Sequence, residues 1–511
     1  MNVAFDPWIP VVNTAGKREL ASLSAVLTEG EKFVDLAVRP HERVSLMRLF
    51  LCVAHAALNG PKDYDEWCDV PKKLPDAVRK YLEKWNDDEH DVFELFHKEK
   101  PWLQVARLKP AKENDDTSFT PLAKLDFSLA SGSNSTLFDH EGVNAERSFD
   151  LSQLVLGLIS LQNFSTCGLL SRPLWNGKPT PNSAKDAPCI TTSMYHVFLI
   201  GKNMLDTICI NICDFTELSL LLKSSCQNGE WLGRPVWEKM PGNDTEALTT
   251  ETFLGRLTPL SRAIRLFEGS SKMLYGEALR YNTYPDFPQE FNTSVAIRRS
   301  KNKEERYLVG ARLGIQPWRQ LDAILQYNLS GKTSSHAMNL NHLDGEPIDI
   351  WVGALVRNPG KQDILDSVES RFHISEQFRS PEGCAVYAAE VQKAQAVSKL
   401  LDTAVYVYRI HLDPRNETRI GSNAINIYWT TVEINLSLLM NHIDAIGTSD
   451  TEPTCKVWRK MLYSASREAY SIACGQETPR QMRAFAKGWL EFTIKKGKPE
   501  ANTKETKEVI A

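Results

Sequence analysis

Three stretches of this chain carry residue types suited to gripping a polyanion. Ser131-Gly132-Ser133-Asn134-Ser135-Thr136-Leu137-Phe138 is rich in hydrogen-bonding groups and ends in an aromatic ring. Arg357-Asn358-Pro359-Gly360-Lys361-Gln362 joins a turn to cations and two amides. An amide beside a lysine on a rigid turn can reach base edges and phosphate together. Lys272, Arg280, Arg298, Arg299, Lys301 and Lys303 crowd one region and could line a phosphate track. Each stretch also has the composition of an ordinary solvated loop, and residue types alone do not decide between the two.

Other chemistries find less support. Gly331-Lys332-Thr333 imitates the end of a phosphate-binding loop, but the required first glycine falls on Gln326. His90 and His97 stand seven apart, with no His-Glu-x-x-His. The run Asp87-Asp88-Glu89-His90-Asp91 reads as a solvated loop or helix end. No Gly-x-Ser-x-Gly elbow occurs. The ten cysteines include no Cys-x-x-Cys pair and no four-ligand zinc spacing. Cys209 and Cys213 belong to an apolar stretch, Ile208–Ile212 and its edge, expected to be a buried strand with core thiols. A dispersed catalytic site stays open, because its members can lie far apart in sequence.

The elements that must position these residues fall into two regions. The chain has 511 residues, 42% hydrophobic and 24% charged, with a net charge of −4. That balance gives no global basic footprint for nucleic acid. Residues 1–375 mix helical patterns at 41–59 and 73–97 with short strands at Tyr195–Ile200, Thr207–Ile212, Ser294–Arg298 and Arg306–Val309. Long polar loops are expected at 107–120, 130–147 and 170–190; loops of that length are functional or disordered. Phe5-Asp6-Pro7-Trp8-Ile9-Pro10-Val11 predicts a stiff extended arm, each proline fixing its own φ and extending its predecessor, with Trp8 docked in the core.

Residues 376–496 carry four amphipathic helices. They open at Ser380-Pro381, ahead of Trp429, at Thr451-Glu452-Pro453 and at Thr478-Pro479. An antiparallel four-helix bundle buries all four apolar stripes at once. The fold class is therefore α+β: a large irregular mixed α/β domain followed by the bundle. The polar tail 497–511 is expected to be disordered. There is no signal peptide and no stretch of 18 apolar residues, which predicts a soluble, cytoplasmic, reduced protein.

Ordered along the chain, several segments resemble one family. They are Asp6-Pro7-Trp8-Ile9-Pro10-Val11, Pro101-Trp102-Leu103-Gln104, Thr120-Pro121-Leu122-Ala123-Lys124-Leu125, Arg256-Leu257-Thr258 with Ser261-Arg262-Ala263-Ile264-Arg265-Leu266, Pro317-Trp318 and Arg357-Asn358. The set resembles the CasA (Cse-one) family, the large subunit of the type I-E CRISPR surveillance complex, Cascade. The resemblance covers nearly the whole chain. It implies recognition without catalysis: reading the protospacer-adjacent motif (PAM) of duplex DNA from the minor groove, starting duplex opening and R-loop formation for the guide RNA, and helping recruit a helicase–nuclease. Partners would be the other Cascade subunits, the guide RNA and target DNA, with no membrane.

Carried over residue by residue, the resemblance puts the wedge that enters the duplex at Asn358 through Gln362, with Gly360 in the turn and Lys361 and Gln362 at its tip. Pro359 and an extra residue alter that turn. The loop aromatic falls on Phe138, in the loop that contains Asn134. The lysine finger falls between Lys272 and Arg280, with Lys272 the chemical match. The glycine-rich minor-groove loop falls at Ser165-Thr166-Cys167-Gly168, which holds one glycine only. Some relatives have a cysteine cluster before the lysine finger; Gly269-Ser270-Ser271-Lys272 stands there instead, so no metal and no cofactor is expected. An enzyme with a dispersed metal-dependent nuclease or hydrolase site, and a purely structural scaffold, are the competing readings.

Overall fold

The computed structural model describes residues 1–87, 89–112, 118–129, 147–222, 231–240, 249–287, 289–300, 303–325, 340, 342–343, 346–358, 363–413 and 420–497. The chain divides into two compact units, Met1–Ile374 and Ser375–Ala511. The α+β class is observed: small antiparallel sheets and helices in the first unit, helices in the second. Among the described residues no helix is long and apolar enough to cross a membrane. The described cysteines are free thiols.

The first unit is organised around the helix Pro40–Leu58. Pro40 opens it, and Glu42 returns to the Arg39 backbone in a capping box. Every residue from His41 to His55 is buried, so the helix runs through the core rather than along a surface. Its charges are compensated internally: Arg48 and Arg256 both pair with Glu290, all three nearly sealed from solvent. The N-terminal arm is docked as its prolines predict. Trp8 is fully buried and donates from Nε1 to the Val3 carbonyl at 2.8 Å. Strand Ile9–Asn13 follows, between Arg18–Ala21 and Phe33–Leu36.

Two expectations for this unit fail for local reasons. The run expected as strand Thr207–Ile212 is the helix Met204–Ile210. Asn203 caps it, accepting from the Asp206 amide at 2.9 Å, and a run that short has no period to separate helix from strand. Cys209 and Cys213 are buried all the same. The helix expected over 73–97 spans Val70–Lys84 only. Asp87 Oδ1 accepts from the Glu89 and His90 amides, an Asx turn that competes with helix. The other strands appear at His196–Ile200, Val295–Ser300 and Lys303–Leu308.

The second unit is built from Pro381–Leu412, Ile420–Ile434, Leu436–Asp444, Thr451–Ala473 and Pro479–Gly497. Ser380 caps the first of these, accepting from the Gly383 amide at 2.9 Å. The expected second helix is broken at Asn435, whose Nδ2 bonds back to the Thr431 carbonyl at 2.8 Å. Tyr387, Val391, Val405, Tyr428, Trp458, Leu462 and Phe485 fill the bundle core. Residues 498–511 of the expected tail lie outside the described residues.

Candidate nucleic-acid interface

The helix Leu151–Phe164 delivers the chain to Gly168. Asp150 and Gln153 form its capping box, and its last residues are buried. From Ser165 the chain leaves the core and returns at Ala187, whose amide donates to the Ser165 carbonyl at 2.8 Å. Within this excursion Gly168–Leu169 pairs with Ser183–Ala184, and the Leu170 amide donates to Asn182 at 2.9 Å. The segment expected as a plain loop at 170–190 is thus a folded excursion. Its tip pairs Leu174–Trp175 with Lys178–Pro179 around Asn176 and Gly177, at φ 51° and 77°. Asn-Gly between two such runs is the signature of a tight hairpin, and it stood in the sequence unread. Gly168 has φ 151°, a value L-residues rarely adopt, and Leu169 beside it is 80% exposed.

Two-residue strands do not hold themselves. This excursion is held at its base by Arg262. The Arg262 side chain is 1% exposed and lies in strand Arg262–Arg265. Nη2 donates to the Thr166 carbonyl at 3.0 Å and to the Lys185 carbonyl at 2.7 Å, one on each arm. Nη1 meets Glu277 Oε2 at 2.9 Å, and Nε donates to the Tyr275 hydroxyl at 3.2 Å. Glu277 also accepts from the Lys185 amide at 3.0 Å. Burial pushes its carboxyl above the usual range, against the pull of Arg262. Arg280, 43% exposed, pairs with Glu277 and donates to the Ser183 carbonyl at 2.9 Å.

A second network ties the excursion to a distant strand. Ile348–Arg357 pairs with His196–Ile200 on one side and Ile364–Ile374 on the other. Arg357, at its end, pairs with Asp186 and reaches Cys167 Sγ at 3.8 Å. The other oxygen of Asp186 accepts from the Cys167 amide at 2.7 Å. Burial opposes the charge on Arg357, yet Asp186 keeps its guanidinium above its ordinary pKa. Asn358 follows directly, and its amide donates to the Asp363 carbonyl at 3.0 Å.

Of the residues singled out in the sequence, the fold therefore brings Cys167, Gly168 and Asn358 together. It does not bring Lys272 with them. Lys272 opens strand Lys272–Glu277, and five residue steps, about 16 Å of strand, separate it from Glu277 beneath the Gly168 hairpin. Arg280, just past the near end, meets the hairpin at the Ser183 carbonyl. Lys272 instead sits by the Gly269 turn, its amide bonded to Ser270 Oγ at 3.1 Å. Asn134, Phe138, Gly360, Lys361 and Gln362 lie outside the described residues, as do Lys301 and Gly331-Lys332-Thr333. In the bundle, Arg459 is taken up by Glu390 and Lys456 pairs with Glu452, while Lys460, Arg483 and Lys487 are exposed. Arg262, Asp186 and Arg280 were not singled out as members of one site. Nothing in their spacing joins 166, 185, 262 and 277; only the sheet register does.

Residues 2–469 match the family CRISPR-associated protein Cse1. A curated relative, CRISPR-associated protein CasA/Cse1 of Thermus thermophilus, is 29% identical over 362 residues, 68% of this chain. The chain spans 64% of that relative's length. A crystal structure of Thermus thermophilus CasA superposes with a TM-score of 0.75 at 21% identity, covering 97% of this chain and 98% of the other. A chain of a solved CRISPR RNA-guided surveillance complex superposes with a TM-score of 0.74 at 16% identity, over 96% and 99% of the two chains. The structural likenesses establish the shared fold. With the family match running over most of its length, this chain belongs to the Cse1 family of CRISPR-associated proteins.

Proposed function

We propose that this chain is the large subunit of a type I-E CRISPR RNA-guided surveillance complex, and that it reads the PAM of duplex DNA and starts strand opening. The observation that carries the reading is the shared network of Arg357, Asp186 and Cys167, which couples the Gly168 hairpin to the Asn358 turn. A minor-groove reader needs a narrow element that approaches the groove floor and a second element that separates the strands. Gly168 has no side chain to hold the backbone away, and exposed Leu169 is an apolar residue of the kind that packs in a minor groove. The minor groove offers a degenerate code, so such a reader tolerates several related motifs.

In this reading Asn358, Gly360, Lys361 and Gln362 form the wedge, and Asn134 and Phe138 also contact DNA. Cys167 and Gly168 face the groove. Arg280 serves as a cation to phosphate, and Lys272 contacts DNA further along the duplex. The guide RNA, the other Cascade subunits and the recruited helicase–nuclease complete the assembly, which works in the cytoplasm. Protein reads the short motif while base pairing reads the rest. Net charge of −4 is compatible with this, since neighbouring subunits supply most of the phosphate contacts.

The test compares the assembled complex with and without this chain on duplexes that differ only in the PAM, at fixed ionic strength. The expected result is discrimination that disappears without the chain. Equal affinity for all duplexes in the intact complex sinks the reading. A narrower expectation is that Lys361→Ala with Gln362→Ala impairs R-loop formation more than initial duplex binding; unimpaired R-loop formation refutes the wedge placement.

A further inference from the structure

Asp214, Glu217 and His342 come together in the first unit, the histidine from a segment more than a hundred residues beyond the two carboxylates. Their ligand atoms all lie within 4.8 Å of one another. His342 Nε2 stands 2.9 Å from Asp214 Oδ2 and 4.0 Å from Glu217 Oε1. The second Glu217 oxygen, Oε2, is buried and has no hydrogen-bond partner among the described residues. The other Asp214 oxygen is already used, accepting from the Glu217 amide at 2.9 Å at the start of helix Phe215–Leu222. The imidazole is aimed by two aromatic walls: Tyr64 and Trp67 lie 5.0 and 4.9 Å from it, centroid to centroid. Trp67 is itself fixed by donating to the Ile212 carbonyl at 2.7 Å.

We propose that Asp214, Glu217 and His342 bind one zinc ion. In a tetrahedral zinc site with bonds of about 2.0–2.1 Å, neighbouring donors stand about 3.3 Å apart. The observed 2.9 and 4.0 Å straddle that edge, and the third pair of donors lies within 4.8 Å, so modest side-chain rotation would build the site. One imidazole nitrogen with two carboxylates is a borderline donor set that suits zinc; calcium takes six to eight oxygens and magnesium a near-octahedral, oxygen-rich shell. The ion would give the bare Glu217 oxygen a partner and balance two adjacent carboxylates. It would also fasten His342 to the start of helix Phe215–Leu222. A second cluster, Glu390, His442 and Cys455, lacks this character, because Arg459 already grips both Glu390 oxygens.

The test uses the full chain, stripped with a chelator and titrated with zinc against a competing chelator of known affinity. The variants are Glu217→Gln, which keeps shape and volume, and His342→Gln. Asp214 is left intact because it also caps a helix. Wild-type protein is expected to take up one equivalent that both variants bind at least about tenfold more weakly. Cobalt loaded in its place should give no thiolate-to-cobalt charge-transfer band, since no cysteine is a ligand. The proposal is overturned if the wild type binds no zinc, if either variant keeps the equivalent at unchanged affinity, or if the cobalt spectrum carries the thiolate band.

Discussion

Replacing Arg262 by lysine isolates the anchoring of the Gly168 hairpin from the survival of the fold. Lysine keeps the positive charge beside Glu277, so no buried carboxylate is stranded. Glu277 also retains Arg280 and the Lys185 amide. A single ammonium cannot span the fork that now reaches Thr166 and Lys185, so those two carbonyls lose the guanidinium's paired donation. Each charge-assisted bond is worth about 1.5 kcal/mol, and the pair together about 3 kcal/mol. The local opening constant should rise about a hundredfold, because two-residue strands add little of their own. Hydrogen exchange read by mass spectrometry is the assay. Peptides covering 165–172 and 182–188 should exchange about a hundredfold faster, and those from helix Pro381–Leu412 should not change. A rise of less than about threefold in the hairpin peptides would refute the anchoring role of Arg262.

Arg357→Ala should leave complex assembly intact and, on the proposed function, lower PAM discrimination about tenfold, since it cuts the ion pair between Asp186 and the strand that ends just before Asn358; unchanged discrimination in a binding assay contradicts the coupling. Acid should destabilise the first unit ahead of carboxylate protonation. Burial holds His41 and His55 at about 4 and His196 at about 3, against an ordinary 6.5. The unfolded chain therefore binds more protons between those values, so stability is full above about pH 6.5 and falls as pH drops toward about 4. Three such groups give a slope of about 4 kcal/mol per pH unit at the steepest. Urea unfolding followed across about pH 7 to 4 should show this loss, and a flat midpoint down to about pH 4.5 would mean that the three rings are protonated in the fold.

What could be read in advance was what short-range physics dictates. The Pro-Trp-x-Pro arm, the central helix opened by Pro40, and bundle helices announced by Ser380-Pro381 and Thr478-Pro479 each carry their signal within a few residues. The errors came where a local side chain outweighed a period. Asn203 turned an expected strand into a helix, Asp87 ended a helix early, and Asn435 broke one in the bundle. The candidate site was legible only in part. Gly168 and Asn358 were placed by the family resemblance, and Arg262, Asp186 and Arg280 were not joined to them. A buried arginine that serves a backbone carbonyl has no sequence pattern, because its acceptors are carbonyls that any residue supplies. The cluster of Asp214, Glu217 and His342 was hidden for the same reason: its pairing depends on a tertiary contact between helix Phe215–Leu222 and a residue over a hundred positions later.

The placement of buried charge argues that position, not stability, is what this site requires. A sealed ion pair is a weak source of stability, since desolvating both partners costs about as much as their attraction returns. Arg262 and Glu277 nevertheless lie sealed directly beneath an excursion that carries half-buried Gly168 and exposed Leu169. An apolar pair of similar volume could pack there, but it could not hold carbonyls at 166 and 185 at a fixed separation. Directional bonds from a planar fork can. The same holds for Arg357, which ends a strand paired along its whole length and spans to Asp186 and Cys167. Both arginines therefore transfer the rigidity of the sheets to a hairpin too short to be rigid by itself. The proposed role as a groove reader would need that transfer: a contact element displaced by an ångström loses base-edge discrimination while keeping most of its phosphate attraction.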